Sequence, residues 1–88
     1  MRVVHCKREA YTFYAGRPGP LGNPYRSGVH GTRAEVIAKF ETYARQSEKI
    51  LRLIYDLPED TVLGCWCHPK PCHCHVIVQI WKELHGKC

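Results

Sequence analysis

Apolar positions in the middle of the chain recur every three or four residues: Val36, Ile37, Phe40, Tyr43 and Ala44 share one face, and Arg33, Lys39, Glu41 and Arg45 lie mostly off it. That period predicts a helix over Arg33–Arg45, and Thr32 followed by Glu35 supplies a capping box at its start. Ser47 is placed to cap a second short helix carrying Ile50, Leu51, Ile54 and Leu57 and closed by Pro58, unless the two helices are one bent element. Nearer the C-terminus, Val76, Ile77, Ile80, Trp81 and Leu84 keep the same spacing, which predicts a helix from about Cys72 to His85 stopped by Gly86.

Shorter β-rich runs flank these helices. Val3–Cys6 reads as a first strand with Lys7–Ala10 as a turn, Tyr11–Ala15 as a second strand, and Thr61–Cys67 as a third. Between Gly16 and Gly31 the chain is dominated by glycine and proline, which excludes a helix or an interior strand and predicts a shaped loop. His68-Pro69-Lys70-Pro71 breaks the third strand. The order predicts an α/β fold: one small domain over residues 1–88, with a short mixed sheet covered by helices. If Tyr11–Ala15 and Thr61–Cys67 share a sheet, the helices between them form a right-handed parallel crossover. The loops Gly16–Pro24 and His68–Pro71 then both leave the carboxyl ends of strands, where open α/β sheets hold ligands.

Composition narrows the setting. Eighty-eight residues support one core and leave no room for a separate regulatory domain. No run is long enough to cross a bilayer and no signal-like stretch opens the chain, so the expected location is cytoplasmic, with no membrane partner. Of the six cysteines, Cys65, Cys67, Cys72 and Cys74 fall within ten residues, too close for a disulfide framework; thiols that bind metal, react or pack are expected instead. The net charge of +5, from 13 basic and 8 acidic residues, favours an anionic partner such as a nucleotide or nucleic acid.

Two segments carry candidate chemistry, and Gly64–Cys74 is the functional centre. Gly16–Pro24 lacks the Gly-Lys-Ser/Thr ending of a phosphate loop, yet Arg17 suits bidentate anion binding and Pro24 with Tyr25 suits a wall for a planar group. Asn23 either reads a base edge or satisfies the loop's own amides. Across from it, Lys70 and the start of the last helix suit a phosphate, which makes Arg17, Asn23, Lys70, Cys72 and His73 the candidate ligand-binding set. At that helix start Cys72 is a candidate thiolate nucleophile of lowered pKa, with His73 or His75 as proton carrier; alternatively His73 is a hydrogen-bonded, partly buried support. A zinc ion would find Cys67, Cys72 and Cys74 better placed than Cys65, with His75 or His5 in the fourth position. His5 and Cys6 reach the site only if their strand neighbours Thr61–Cys67, whereas His30, His85 and Cys88 read as surface residues.

The segments Gly16-Arg17-Pro18, Leu21-Gly22-Asn23-Pro24, Gly31-Thr32-Arg33 and Leu63-Gly64-Cys65-Trp66-Cys67, with Pro69 and Pro71-Cys72-His73, together resemble the DUF4326 family. The resemblance covers nearly the whole chain. It implies a small bacterial or phage protein whose activity is unassigned, with its site at these loops. Where that family continues Cys-His-Gly-Asp, this chain has Cys72-His73-Cys74-His75, so His75 stands where the family's acid would act. Three function classes follow: a phosphate-ligand binder, a thiol- or metal-dependent enzyme on a nucleotide-like substrate, and a zinc-stabilised interaction module. The last would form a homodimer through an exposed stripe of Trp81 and Leu84.

Overall fold

The apolar stripe of the first helix turns inward as its period requires. In a computed structural model that describes residues 1–17, 19–66 and 70–86, α1 spans Arg33–Gln46 and buries Val36, Phe40 and Ala44, successive i, i+4 positions. Its start is the expected capping box: the Thr32 hydroxyl accepts from the Glu35 amide, and the Glu35 carboxylate accepts from the Thr32 amide. Ser47 ends α1 and begins α2 (Glu48–Tyr55), because its own amide bonds Ala44 while its hydroxyl accepts from Ile50. Its extended backbone makes these two helices rather than one bent element.

The strands β1 (Arg2–His5), β2 (Phe13–Tyr14) and β3 (Val62–Cys65) form one sheet in the order β1-β3-β2. Both pairings are parallel, with His5 opposite Cys65 and Tyr14 opposite Gly64. The α/β class stands, but the sheet is all-parallel rather than mixed, because the segments joining the strands cross over instead of turning back. β2 is shorter than the expected run: Thr12 and Ala15 add single amide bonds to Val62 and Gly64 at its ends. Being central, β3 buries Leu63, Gly64 and Cys65.

After β3 the chain re-enters a helix, α3 (His73–Leu84), with Cys72 as its N-cap. His85 closes it, and Gly86 follows at φ 70°, the left-handed position that glycine supplies after a helix end. α3 buries His73, Cys74, Ile77, Ile80 and Trp81 and lies against β1, α1 and α2. Trp81 is enclosed and its indole donates to the Leu57 carbonyl at 2.8 Å, so the expected exposed dimer stripe loses its larger residue; Leu84 alone stays exposed. Arg45 ties α1 to α3 through a two-pronged contact with Glu83. Among the described residues, no helix is long and apolar enough to cross a membrane.

Candidate functional site

The Gly/Pro loop follows the carboxyl end of the edge strand β2 and the Cys/His segment that of its central neighbour β3, and described residues of both segments line one cavity. The Gly/Pro loop folds as consecutive tight turns, with the Gly19 amide on the Gly16 carbonyl and the Gly22 amide on the Gly19 carbonyl. It crosses itself closely: a Cβ on Gly22 would stand 2.9 Å from both the Arg17 nitrogen and the Gly16 oxygen. Leu21 drops into the core with no exposed surface.

His73 holds this loop from the first turn of α3. Its Nε2 lies 2.7 Å from the Ala15 carbonyl and 2.9 Å from the Leu21 carbonyl, one at each end of the turn. Carbonyls only accept, so Nε2 carries the proton and donates to both. Burial disfavours the charged imidazolium and holds the His73 pKa below its ordinary value. The ring packs edge-on to Phe40 at 4.8 Å. Of the alternatives the sequence left open for His73, the geometry matches the hydrogen-bonded support.

Asn23 does the same for the loop's other limb. Its side-chain nitrogen donates to the Val36 carbonyl and its oxygen accepts from the Tyr25 amide. Both ends of the amide therefore engage backbone, and Arg17 reaches over to donate to the Asn23 carbonyl at 3.2 Å. On the facing side, Arg33 donates to the Pro71 carbonyl, tying the start of α1 to the segment before α3.

Between the loops opens a cavity of about 680 Å³. Arg17, Arg26 and Arg33 line it and, among the described residues, no carboxylate does. Tyr14, Tyr25 and Trp66 add aromatic surface, while Cys65, Cys72 and His73 lie at its inner side. Tyr14 is positioned by two contacts, accepting from the Trp66 indole at 2.7 Å and donating to the Arg17 carbonyl at 3.4 Å. Its ring leans over Gly16, where any Cβ would collide with it. His5, which the β1–β3 pairing brings to this edge, meets Trp66 edge-on at 5.9 Å. Lys70 is exposed and does not line the cavity, so the expected ligand set is joined only in part. Arg26, Arg33, Tyr14 and Trp66 were not singled out as ligand contacts; for Arg26 the basic and aromatic residues interleaved through the Gly/Pro loop were the available signal, and the other three lie outside that loop.

The sulfur chemistry is also rearranged relative to expectation. Cys65, Cys72 and Cys74 are all buried, and their sulfurs lie within 4.8 Å of one another. Cys65, ranked behind its neighbours by the sequence, is a full member, because its side chain leaves β3 toward the start of α3. His75 is exposed and outside this group, and Cys67 and His68 lie outside the described residues. Cys72 is not the low-pKa thiol expected at a helix start. Its hydrogen bond with the Cys65 sulfur, at 3.4 Å, together with burial pushes it up to about 12. The Cys74 thiol is pushed upward as well, by its bonds to Cys65 and Cys72 and by burial. Cys72 and His73 are therefore not assembled as nucleophile and base: the sulfur faces two other cysteines, and the imidazole proton faces two carbonyls.

Residues 2–83 match the family described as a domain of unknown function, DUF4326. The chain belongs to the DUF4326 family. Neither a curated protein nor a solved structure matches it. The DUF4326 match takes in both loops and all three clustered cysteines, so the site described here lies wholly within the family's domain.

Proposed function

We propose that this DUF4326 protein binds a phosphate-bearing ligand, a nucleotide either free or within a nucleic-acid strand, between its Gly/Pro/Arg loop and its Cys/His loop. The observation that carries this reading is the cavity's charge: three arginines line it and, among the described residues, no carboxylate does. Guanidinium groups match phosphate oxygens in planar, paired hydrogen bonds, and confinement strengthens them relative to open solvent. The positive end of α3 opens on the same side, since its cap Cys72 is a lining residue. Tyr14, Tyr25 and Trp66 supply rings on which a base stacks, a contact worth about 1–3 kcal/mol per base. The volume of about 680 Å³ suits a ligand of nucleotide size.

Titration of the full chain with inorganic phosphate, nucleoside mono- and triphosphates, single- and double-stranded DNA, and RNA tests the reading. Trp66 emission is the reporter, with a Trp66→Phe variant to record the Trp81 background that is subtracted. The expected result is saturable binding whose affinity falls as salt rises. No binding of any of these ligands at low salt overturns it.

A further inference from the structure

Three cysteine sulfurs from two different elements converge on one buried point. Cys65 comes from the end of β3, Cys72 is the N-cap of α3, and Cys74 sits in that helix's first turn. Within a regular helix, residues two apart point to different sides. Here the extended backbone of Cys72, at φ −150° and ψ 171°, swings its sulfur back until it accepts from the Cys74 amide at 3.4 Å. The capping geometry thus brings two sulfurs of a Cys-x-Cys pair to the same side, and β3 delivers the third.

The spacing of these sulfurs suits one ion. A tetrahedral zinc–thiolate site with Zn–S bonds of about 2.3 Å has sulfur–sulfur edges of about 3.8 Å. The Cys65–Cys72 separation of 3.4 Å and the 4.8 Å limit for the whole group bracket that edge. A disulfide between Cys65 and Cys72 would use two of these sulfurs and leave the third without a role, whereas a thiophilic cation uses all three. Cys65 and Cys72 also line the arginine cavity, while Cys74 does not, so the cavity reaches the triangle along its Cys65–Cys72 edge.

We infer that Cys65, Cys72 and Cys74 form a tris-thiolate site for a zinc-class cation, with the fourth coordination position turned toward the arginine-lined cavity. Binding Zn²⁺ releases the three thiol protons to solvent and involves no electron transfer. The resulting assembly carries a net charge of −1, and Arg17, Arg26 and Arg33 surround the cavity it faces. Three protein ligands plus one open position is the arrangement that lets a zinc ion take an exogenous donor. The inference stands on sulfur geometry and is independent of the phosphate reading.

The test uses the full chain, untagged and purified without a metal-affinity step. Zinc chloride is titrated in competition with a chromophoric chelator, and the zinc X-ray absorption fine structure of the loaded protein is recorded. The expected result is one zinc per chain with a shell of three sulfurs and one lighter atom. Cys65→Ser, Cys72→Ser and Cys74→Ser should each weaken zinc binding by at least about tenfold, and Cys6→Ser should leave it unchanged. Should a variant fail to fold, the absorption spectrum of the wild-type protein still decides. No retained zinc, or fewer than three sulfurs in the shell, overturns the site, and a fourth sulfur overturns the open position.

Discussion

The Trp66 indole donates to the Tyr14 hydroxyl across 2.7 Å, joining the residue after β3 to the last residue of β2 over the mouth of the cavity. Tyr14 passes the restraint on, donating to the Arg17 carbonyl. Tyr14→Phe keeps the ring and removes both bonds. Because the pair is partly exposed, the expected stability loss is modest, about 0.5–1.5 kcal/mol in urea unfolding. Ligand affinity should fall further than stability does, since Arg17 and Trp66 lose their fixed positions together. Unchanged affinity would show that the mouth residues do not touch the ligand.

Arg33 and Lys70 separate the cavity from general surface charge. Arg33 lines the cavity, whereas Lys70 is exposed outside it. Arg33→Ala should weaken nucleotide binding roughly tenfold, the scale of one charge-assisted hydrogen bond, while Lys70→Ala should stay within about twofold. Equal losses from both, measured by the same titration, would mean that affinity comes from net charge alone.

His73 links loop order to pH. Its folded-state pKa is lowered by burial, so the unfolded chain takes up a proton more readily than the folded one. Stability from this group is complete above the unfolded histidine value of about 6.5 and is lost as pH falls below it toward the folded value. Arg17 lies on the opposing side and favours the neutral ring, while a thiolate at Cys65 would favour the charged one. His73→Phe leaves the Ala15 and Leu21 carbonyls without their shared donor and should cost about 1–3 kcal/mol at neutral pH. His73→Gln keeps a donor that does not titrate. Its unfolding midpoint should therefore change less than that of the wild type between pH 7 and pH 5, and an identical slope would remove His73 from the account.

Gly22 and Gly64 are close-approach positions with different neighbours. A Cβ at Gly22 meets backbone atoms that cannot yield without moving the turn, and one at Gly64 meets the Tyr11 ring at 2.6 Å. Gly22→Ala should destabilise by about 1–3 kcal/mol and also weaken ligand binding, because Arg17 is displaced. Gly64→Ala should destabilise with less effect on binding. Denaturant midpoints and the ligand titration, read together, distinguish the two.

The thiols can be ranked by access. Cys65, Cys72 and Cys74 are buried and Cys6 is half-exposed. Alkylation mapped by mass spectrometry on the folded protein should label Cys6 well before those three. Fast labelling at Cys72 would restore the nucleophile reading that its contacts oppose.

Much of this protein was legible in the chain itself. Thr32 and Glu35 marked the start of α1, Ser47 the start of α2 and Gly86 the end of α3, because caps and apolar periods are local interactions whose partners lie within a turn of one another. The two unusual loops, and their meeting at one sheet edge, followed from strand order once a parallel crossover was assumed. What the sequence did not determine was which side chains finally face one another. Cys65 joined the sulfur cluster, Lys70 stayed outside the cavity and Trp81 was enclosed. His73 turned its proton to carbonyls 58 and 52 residues away along the chain, and Arg33 came within reach of Pro71. These outcomes depend on the register of β3 between β1 and β2 and on the turn of backbone at Cys72, and a shift of a single residue in either would redirect every side chain that follows. Tertiary structure decided them because each is a contact between segments far apart in sequence, whose separation is set by packing and leaves no trace in local pattern.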